Sequence, residues 1–220
     1  MNLRTLRFVL WIAVALVSGW FVLQRMGTQP SSQTGLMRAG ADLQIKNPYL
    51  SLVAPSGEIL DTKRFQTGHQ LVYFGFTFCP DVCPISARKM LVAEALYNQG
   101  SPKKPAHSLF ITIDPERDTP EIMGIYADNL VDDVMQDFPQ EERAAIKPDL
   151  TALTGTRAQI DAAAKTYMVY AEKVEDDAAP EAYRFNHTDL IYWVRPDGRV
   201  QFFSPRQSAS DIAAALQAGS

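Results

Sequence analysis

Cys79 and Cys83 are the two cysteines of this 220-residue chain, and they lie in Phe78-Cys79-Pro80-Asp81-Val82-Cys83-Pro84. The run before them, Leu71 to Thr77 (LVYFGFT), reads as a buried strand, and the residues from Pro84 onward read as a helix. A helix start offers unpaired N–H groups and the positive end of a dipole, which favour a thiolate and predict lowered pKa values for one or both thiols. A spacing of four puts both side chains on one helical face, where they can bridge or pinch one soft metal ion. A structural disulfide is the plain alternative in an oxidising compartment. The loop it would close is so short that little chain entropy would be removed, and reactivity accounts better for a pair placed after a core strand.

Thiolates select soft ions such as Cu(I), or zinc, and two of them leave such an ion short of ligands. Three histidines could supply a third donor. His69 follows Thr67-Gly68 and His107 follows Lys103-Lys104-Pro105-Ala106, and both read as surface residues. His187 lies in Tyr183-Arg184-Phe185-Asn186-His187-Thr188-Asp189, just before an apolar strand, where a loop residue can overhang a neighbouring edge. Spacing alone leaves its role open. Met90, Met123 and Met135 stand where methionine serves as core filler, outside any site.

The elements that must position these groups follow from pattern. Tyr49–Val53 and Glu58–Leu60 flank Pro55-Ser56-Gly57 as a small hairpin. Helices are expected over Pro84–Asn98, from Asp118-Thr119-Pro120-Glu121 to about Leu130, over Thr156–Lys165 and over Ser208–Gln217. Strands are expected at Leu109–Ile113, Leu150–Thr154, Tyr167–Ala171, Thr188–Val194 and Arg199–Phe203, the last two paired across Pro196-Asp197-Gly198. Alternating strands and helices closed by a hairpin predict an α/β fold, a mixed sheet covered by helices.

Hydrophobic residues make up 46% and charged residues 21%, the profile of a globular protein, and the net charge of −4 argues against nucleic acid as a partner. The N-terminus is different. Phe8 to Leu23 is an uncharged apolar run framed by Arg4, Arg7 and Arg25, close to the roughly 17 to 20 residues a membrane-spanning helix needs. A cleaved signal peptide is the competing reading, but no convincing small-x-small site follows Leu23. The chain therefore divides into an uncleaved anchor over 1–26, a flexible tether over 27–40 and a folded domain over 41–220. The positive-inside bias places that domain outside the cytoplasm. The absence of a transit-type leader favours a bacterial inner membrane, single-pass, with the C-terminal domain in the periplasm.

With these residues in view, the sequence resembles the Sco/SenC family, copper chaperones that help build the binuclear copper centre of cytochrome c oxidase. The resemblance rests on Phe76-Thr77-Phe78-Cys79-Pro80-Asp81-Val82-Cys83-Pro84, Asp114-Pro115-Glu116-Arg117-Asp118-Thr119-Pro120, Leu153-Thr154-Gly155-Thr156, and His187 ahead of Pro196-Asp197-Gly198. Four motifs in order over roughly residues 50 to 204 are far more specific than a lone pair of cysteines. The resemblance implies a thioredoxin-like fold and a copper ion held by Cys79, Cys83 and His187, with Asp114 in a supporting or partner-contacting role. The plainer reading of Asp114 and Asp118 is that they shape the loop and cap the next helix. One departure is an acidic stretch, residues 131–142, longer than the family pattern implies and read as a solvated surface excursion.

The implied partners are cytochrome c oxidase subunit II or another copper-accepting protein, a copper donor chaperone and a thiol reductant. Cu(II) is a second candidate for the ion. Two further readings use the same thiols. One is a thiol–disulfide reductase, with Cys79 and Cys83 redox-active and no need of His187. The other is a peroxiredoxin-like peroxidase, which the close Thr77–Cys79 spacing argues against.

Overall fold

The computed structural model describes residues 42–219, apart from 101–102, 144–145, 147 and 177–178. The anchor and tether expected at 1–26 and 27–40 lie outside the described residues, and among those described no helix is long and apolar enough to cross a membrane.

A small antiparallel hairpin, β1 (Ser51–Val53) and β2 (Ile59–Asp61), comes first, turning through Gly57 at a φ of 82° that side-chain-bearing residues resist. The central sheet has the order β5-β4-β3-β8-β9, where β3 is His69–Gly75, β4 Ala106–Thr112, β5 Leu150–Leu153, β8 Ile191–Val194 and β9 Val200–Phe203. The β3, β4 and β5 pairings are parallel, while β8 runs antiparallel to both β3 and β9, so the sheet is mixed as expected. All seven residues of β3 are buried, which explains its unbroken apolar run. The strand begins earlier than its apolar residues because His69 and Gln70 are buried too. His69 is no surface residue: its Nδ1 accepts a bond from Trp193 Nε1 at 2.9 Å, inside the core.

Four helices flank the sheet: α1 (Val82–Asn98), α2 (Pro120–Met135), α3 (Arg157–Thr166) and α4 (Ala209–Ala218). Thr119, Thr156 and Ser208 cap the last three, and the latter two complete capping boxes with Gln159 and Asp211. Helix α2 outruns its expected end at Leu130 because its apolar stripe, Met123, Ala127, Leu130, continues to buried Val134. Part of the acidic stretch is thus packed helix. Arg88 of α1 reaches both Asp133, at 2.8 Å, and Asp137, and Phe138 is buried.

One expected strand is misplaced. Tyr167 ends α3 and is buried with its hydroxyl on the Pro48 carbonyl at 2.6 Å, and Met168 turns the chain with a φ of 55°. Extended structure starts only at Ala171. There β6 (Ala171–Asp176) pairs antiparallel with β7 (Ala179–His187) as a two-stranded ribbon separate from the main sheet. The exposed loop expected around Asp177 falls on residues 177–178, outside the described residues.

Candidate metal centre

The chain leaves β3 at Gly75 and enters α1 at Val82, so the two cysteines straddle a boundary. A residue before proline is steered away from helical dihedrals, which keeps Cys79, ahead of Pro80, out of the helix. Cys83 lies in the first turn of α1, where the missing N–H of Pro84 costs nothing. The expected placement of both sulfurs on one helical face is therefore corrected: one comes from the loop, the other from the helix.

That loop is pinned by a carboxylate. Buried Asp118 accepts from the Thr77 backbone N–H at 3.1 Å, from Thr77 Oγ1 at 2.5 Å and from Thr112 Oγ1 at 2.5 Å, tying the ends of β3 and β4 together beside Cys79. Asp118 does not cap α2, and Thr119 does so instead.

His187 is the last residue of β7, and the ribbon carries it back over the cysteines. Its Nε2 lies 3.1 Å from Cys83 Sγ, and its Nδ1 lies 3.0 Å from the Thr188 carbonyl oxygen. A carbonyl can only accept, so Nδ1 carries the proton and donates it, leaving the Nε2 lone pair directed at the sulfur. The donor atoms of Cys79, Cys83 and His187 all lie within 4.8 Å of one another, and among the described residues these are the His, Cys, Asp and Glu side chains grouped to hold a metal ion. Thiolate and imidazole bonds of about 2.0 to 2.3 Å around a trigonal ion would separate sulfur and nitrogen by roughly 3.8 Å, so the observed spacing fits with little movement.

The surroundings are apolar and aromatic. Phe76 and Tyr73 meet the His187 ring edge-on at centroid separations of 5.9 and 6.3 Å. Cys79 is half-buried and Cys83 fully buried, and they are not bridged. Burial pushes the Cys83 thiol well above its ordinary range, with neighbouring Cys79 adding to the rise, which overturns the expected lowering at that residue. Burial lowers the His187 pKa, which keeps the imidazole neutral and its lone pair free.

Asp114 is buried, and its carboxylate binds Arg117 Nε at 2.5 Å and the Tyr183 hydroxyl at 2.9 Å rather than the three donors. Arg117 lies 3.7 Å above the Tyr183 ring and donates to the Tyr183 carbonyl at 3.0 Å, and Lys173 lies 3.7 Å from the same ring. Tyr183 stands four residues before His187 on β7, so Asp114 is bonded to the ribbon that bears the imidazole. His107 packs half-buried on Phe65, and Met90 and Met123 are core, all apart from the centre. Sequence reasoning missed the contact of Arg117 with Tyr183, while the loop-shaping reading of Asp118 holds and its capping of α2 does not.

A family model described as SCO1/SenC matches residues 39–219. The chain is similar to Protein SCO1 homolog, mitochondrial, of Mus musculus, at 36% identity over 76% of this chain and 54% of that one. The human counterpart is 34% identical over 76% of this chain and 50% of that one, so the chain spans about half the length of both. It is also similar to SCO2-like protein RP587 of Rickettsia prowazekii, 29% identical over 89% of this chain and 87% of that one. Among solved structures, ScoI of Bradyrhizobium japonicum with copper bound superimposes with a TM-score of 0.61 at 30% identity, covering 79% of this chain and 99% of that one. ScoI of Arabidopsis thaliana with copper bound gives 0.62 at 26%, covering 78% and 96%.

Proposed function

The chain belongs to the SCO1/SenC family, and on that premise we propose that it is a membrane-tethered copper metallochaperone whose cargo is held by Cys79, Cys83 and His187. The reading is carried by one observation, the His187 Nε2 lone pair set 3.1 Å from Cys83 Sγ by an Nδ1–H engaged on the Thr188 carbonyl. Two thiolates and a neutral imidazole suit Cu(I), and the relatives with copper bound support copper as the ion. Cys79, the more exposed sulfur, is where an incoming thiolate of a partner would begin ligand exchange. Oxidation removes two electrons as the sulfur–sulfur bond forms, and with them both thiolate donors, so the redox state of the pair gates binding.

The recipient in this reading is the binuclear copper centre of cytochrome c oxidase subunit II. A copper donor chaperone and a thiol reductant act upstream, and the N-terminal segment holds the domain at the outer face of a bacterial inner membrane. Asp114 acts in support, through Tyr183.

A reductase that keeps partner cysteines reduced is favoured by the half-exposed thiol of Cys79, and needs no imidazole. Anaerobic titration of the reduced full chain with Cu(I), in competition with a chromophoric chelator, separates the two. His187→Ala is expected to lose stable Cu(I) binding while keeping the reactivity of the dithiol. Wild-type affinity in that variant would overturn the three-donor site.

A further inference from the structure

Asp189 stands two residues beyond His187, between the end of β7 and the start of β8, and its carboxylate turns into the protein. One oxygen, Oδ1, accepts two hydroxyls: Ser86 Oγ at 2.8 Å and Tyr73 OH at 3.0 Å. Ser86 is on α1, three residues after Cys83, and Tyr73 is on β3, and both are buried. The Tyr73 hydroxyl also interacts with the Cys83 thiol. Asp189 itself is half-buried. The rest of the strand start, Leu190 to Val194, is apolar.

We infer that Asp189 is a positioning residue: it locks the segment carrying His187 to the helix carrying Cys83 and so sets the separation of imidazole and thiolate. This rests on the copper-binding reading above. The lock is short and nearly closed, running from the His187 backbone through Asp189 Oδ1 and Ser86 Oγ to the turn of α1 that bears Cys83. Without it, the segment is still held by Tyr183, four residues upstream, and by Thr188, which exchanges hydrogen bonds of 2.9 Å with Tyr170, but those bonds tie it to the ribbon and its lead-in and not to α1. Because both hydroxyls use the same oxygen, the lock needs an acceptor and no negative charge. An asparagine, which offers one carbonyl oxygen in the same place, should therefore serve.

The test compares Asp189→Ala, Asp189→Asn and Ser86→Ala in the full chain. Two readouts are used: Cu(I) affinity by anaerobic chelator competition, and the His187 ring resonances of the metal-free protein by NMR. Loss of a buried partner that orients a metal ligand typically weakens metal binding by about 10- to 100-fold. We expect Asp189→Ala to fall in that range and to shift or broaden the His187 resonances, Asp189→Asn to restore both, and Ser86→Ala to reproduce part of the loss. Should Asp189→Ala fail to fold, Ser86→Ala carries the test, since it removes one hydroxyl and leaves the carboxylate bonded to Tyr73. Unchanged affinity and unchanged resonances in Asp189→Ala, or in Ser86→Ala when that variant stands in, would overturn the inference. An asparagine variant as impaired as the alanine would overturn it as well, since charge would then be the operative property. If the wild type bound no Cu(I), the copper reading would fall, yet the metal-free resonances would still decide whether Asp189 places the ring.

Discussion

Cys83 and His187 are both withdrawn from water, and that burial sets their protonation: the thiol is driven up and the imidazole down, both toward neutrality. An arriving cation must displace the thiol proton, while the imidazole is already free to bind. Burial governs a distant pair of groups in the same way. Glu94 on α1 is buried, with Oε1 near Asn98 Nδ2 at 3.5 Å and the Asp149 N–H at 3.3 Å, and desolvation pushes its pKa up to about 8. Its folded pKa is therefore above its unfolded one. The stability linked to it is fully present below about pH 4.5 and is lost as the pH rises toward 8, a cost of a few kcal/mol. Glu94→Gln should flatten this slope and gain on the wild type from pH 5 to pH 8, as read from urea midpoints. A variant whose deficit or gain did not change with pH would refute it. His69 has the opposite sign, lowered to about 4 chiefly by burial, then by Arg195 and Lys104. Its contribution is present above pH 6.5 and is lost toward pH 4, so comparing variant with wild type from pH 5 to 8 isolates Glu94.

The ribbon β6–β7 is the element on which the site depends and the one least visible in the sequence. Lys173, Glu172 and Arg184 alternate with too few apolar residues to announce a buried strand, because the ribbon stands outside the central sheet. Two aromatic residues help attach it: Phe185, whose ring meets Phe76 edge-on at a centroid separation of 5.5 Å, and Tyr183, held between Arg117 and Lys173 and bonded to Asp114. Tyr183→Phe keeps the ring and removes the hydroxyl bond to Asp114. The expected result is faster hydrogen exchange across residues 171–176 and 183–187, with a several-fold loss of Cu(I) affinity and little change in global stability, since Asp114 remains paired with Arg117. Unaltered exchange in the ribbon would show that the clamp does not hold it.

At the scale of the whole molecule, the three donors come from three separate pieces of chain: the loop after β3, the first turn of α1, and the end of β7, more than a hundred residues later. A ligand that joins such pieces binds the folded state and not the unfolded chain, so Cu(I) at 100 times its dissociation constant should stabilise the reduced protein by about 2.7 kcal/mol. Calorimetry should show that rise for the reduced protein and none for the Cys79–Cys83 disulfide form, and an equal rise in the oxidised form would contradict thiolate binding. The sequence by itself determined the α/β class, the buried strand leading to the cysteines, the helices beginning near Thr156 and Ser208, and, through ordered motifs, the family. All of these are written in local periodicity, capping chemistry or contiguous residues. Only the tertiary structure decided that His187 meets Cys83, that Asp114 bonds Tyr183, that Asp118 pins Thr77 and that Asp189 reaches Ser86. Each is a contact between residues whose separation along the chain carries no geometric information until the sheet order and the ribbon have brought them together. The thiol of Cys83 makes the same point: a helix start argues for a low pKa, but the depth of burial that overrides it is a property of the packed core.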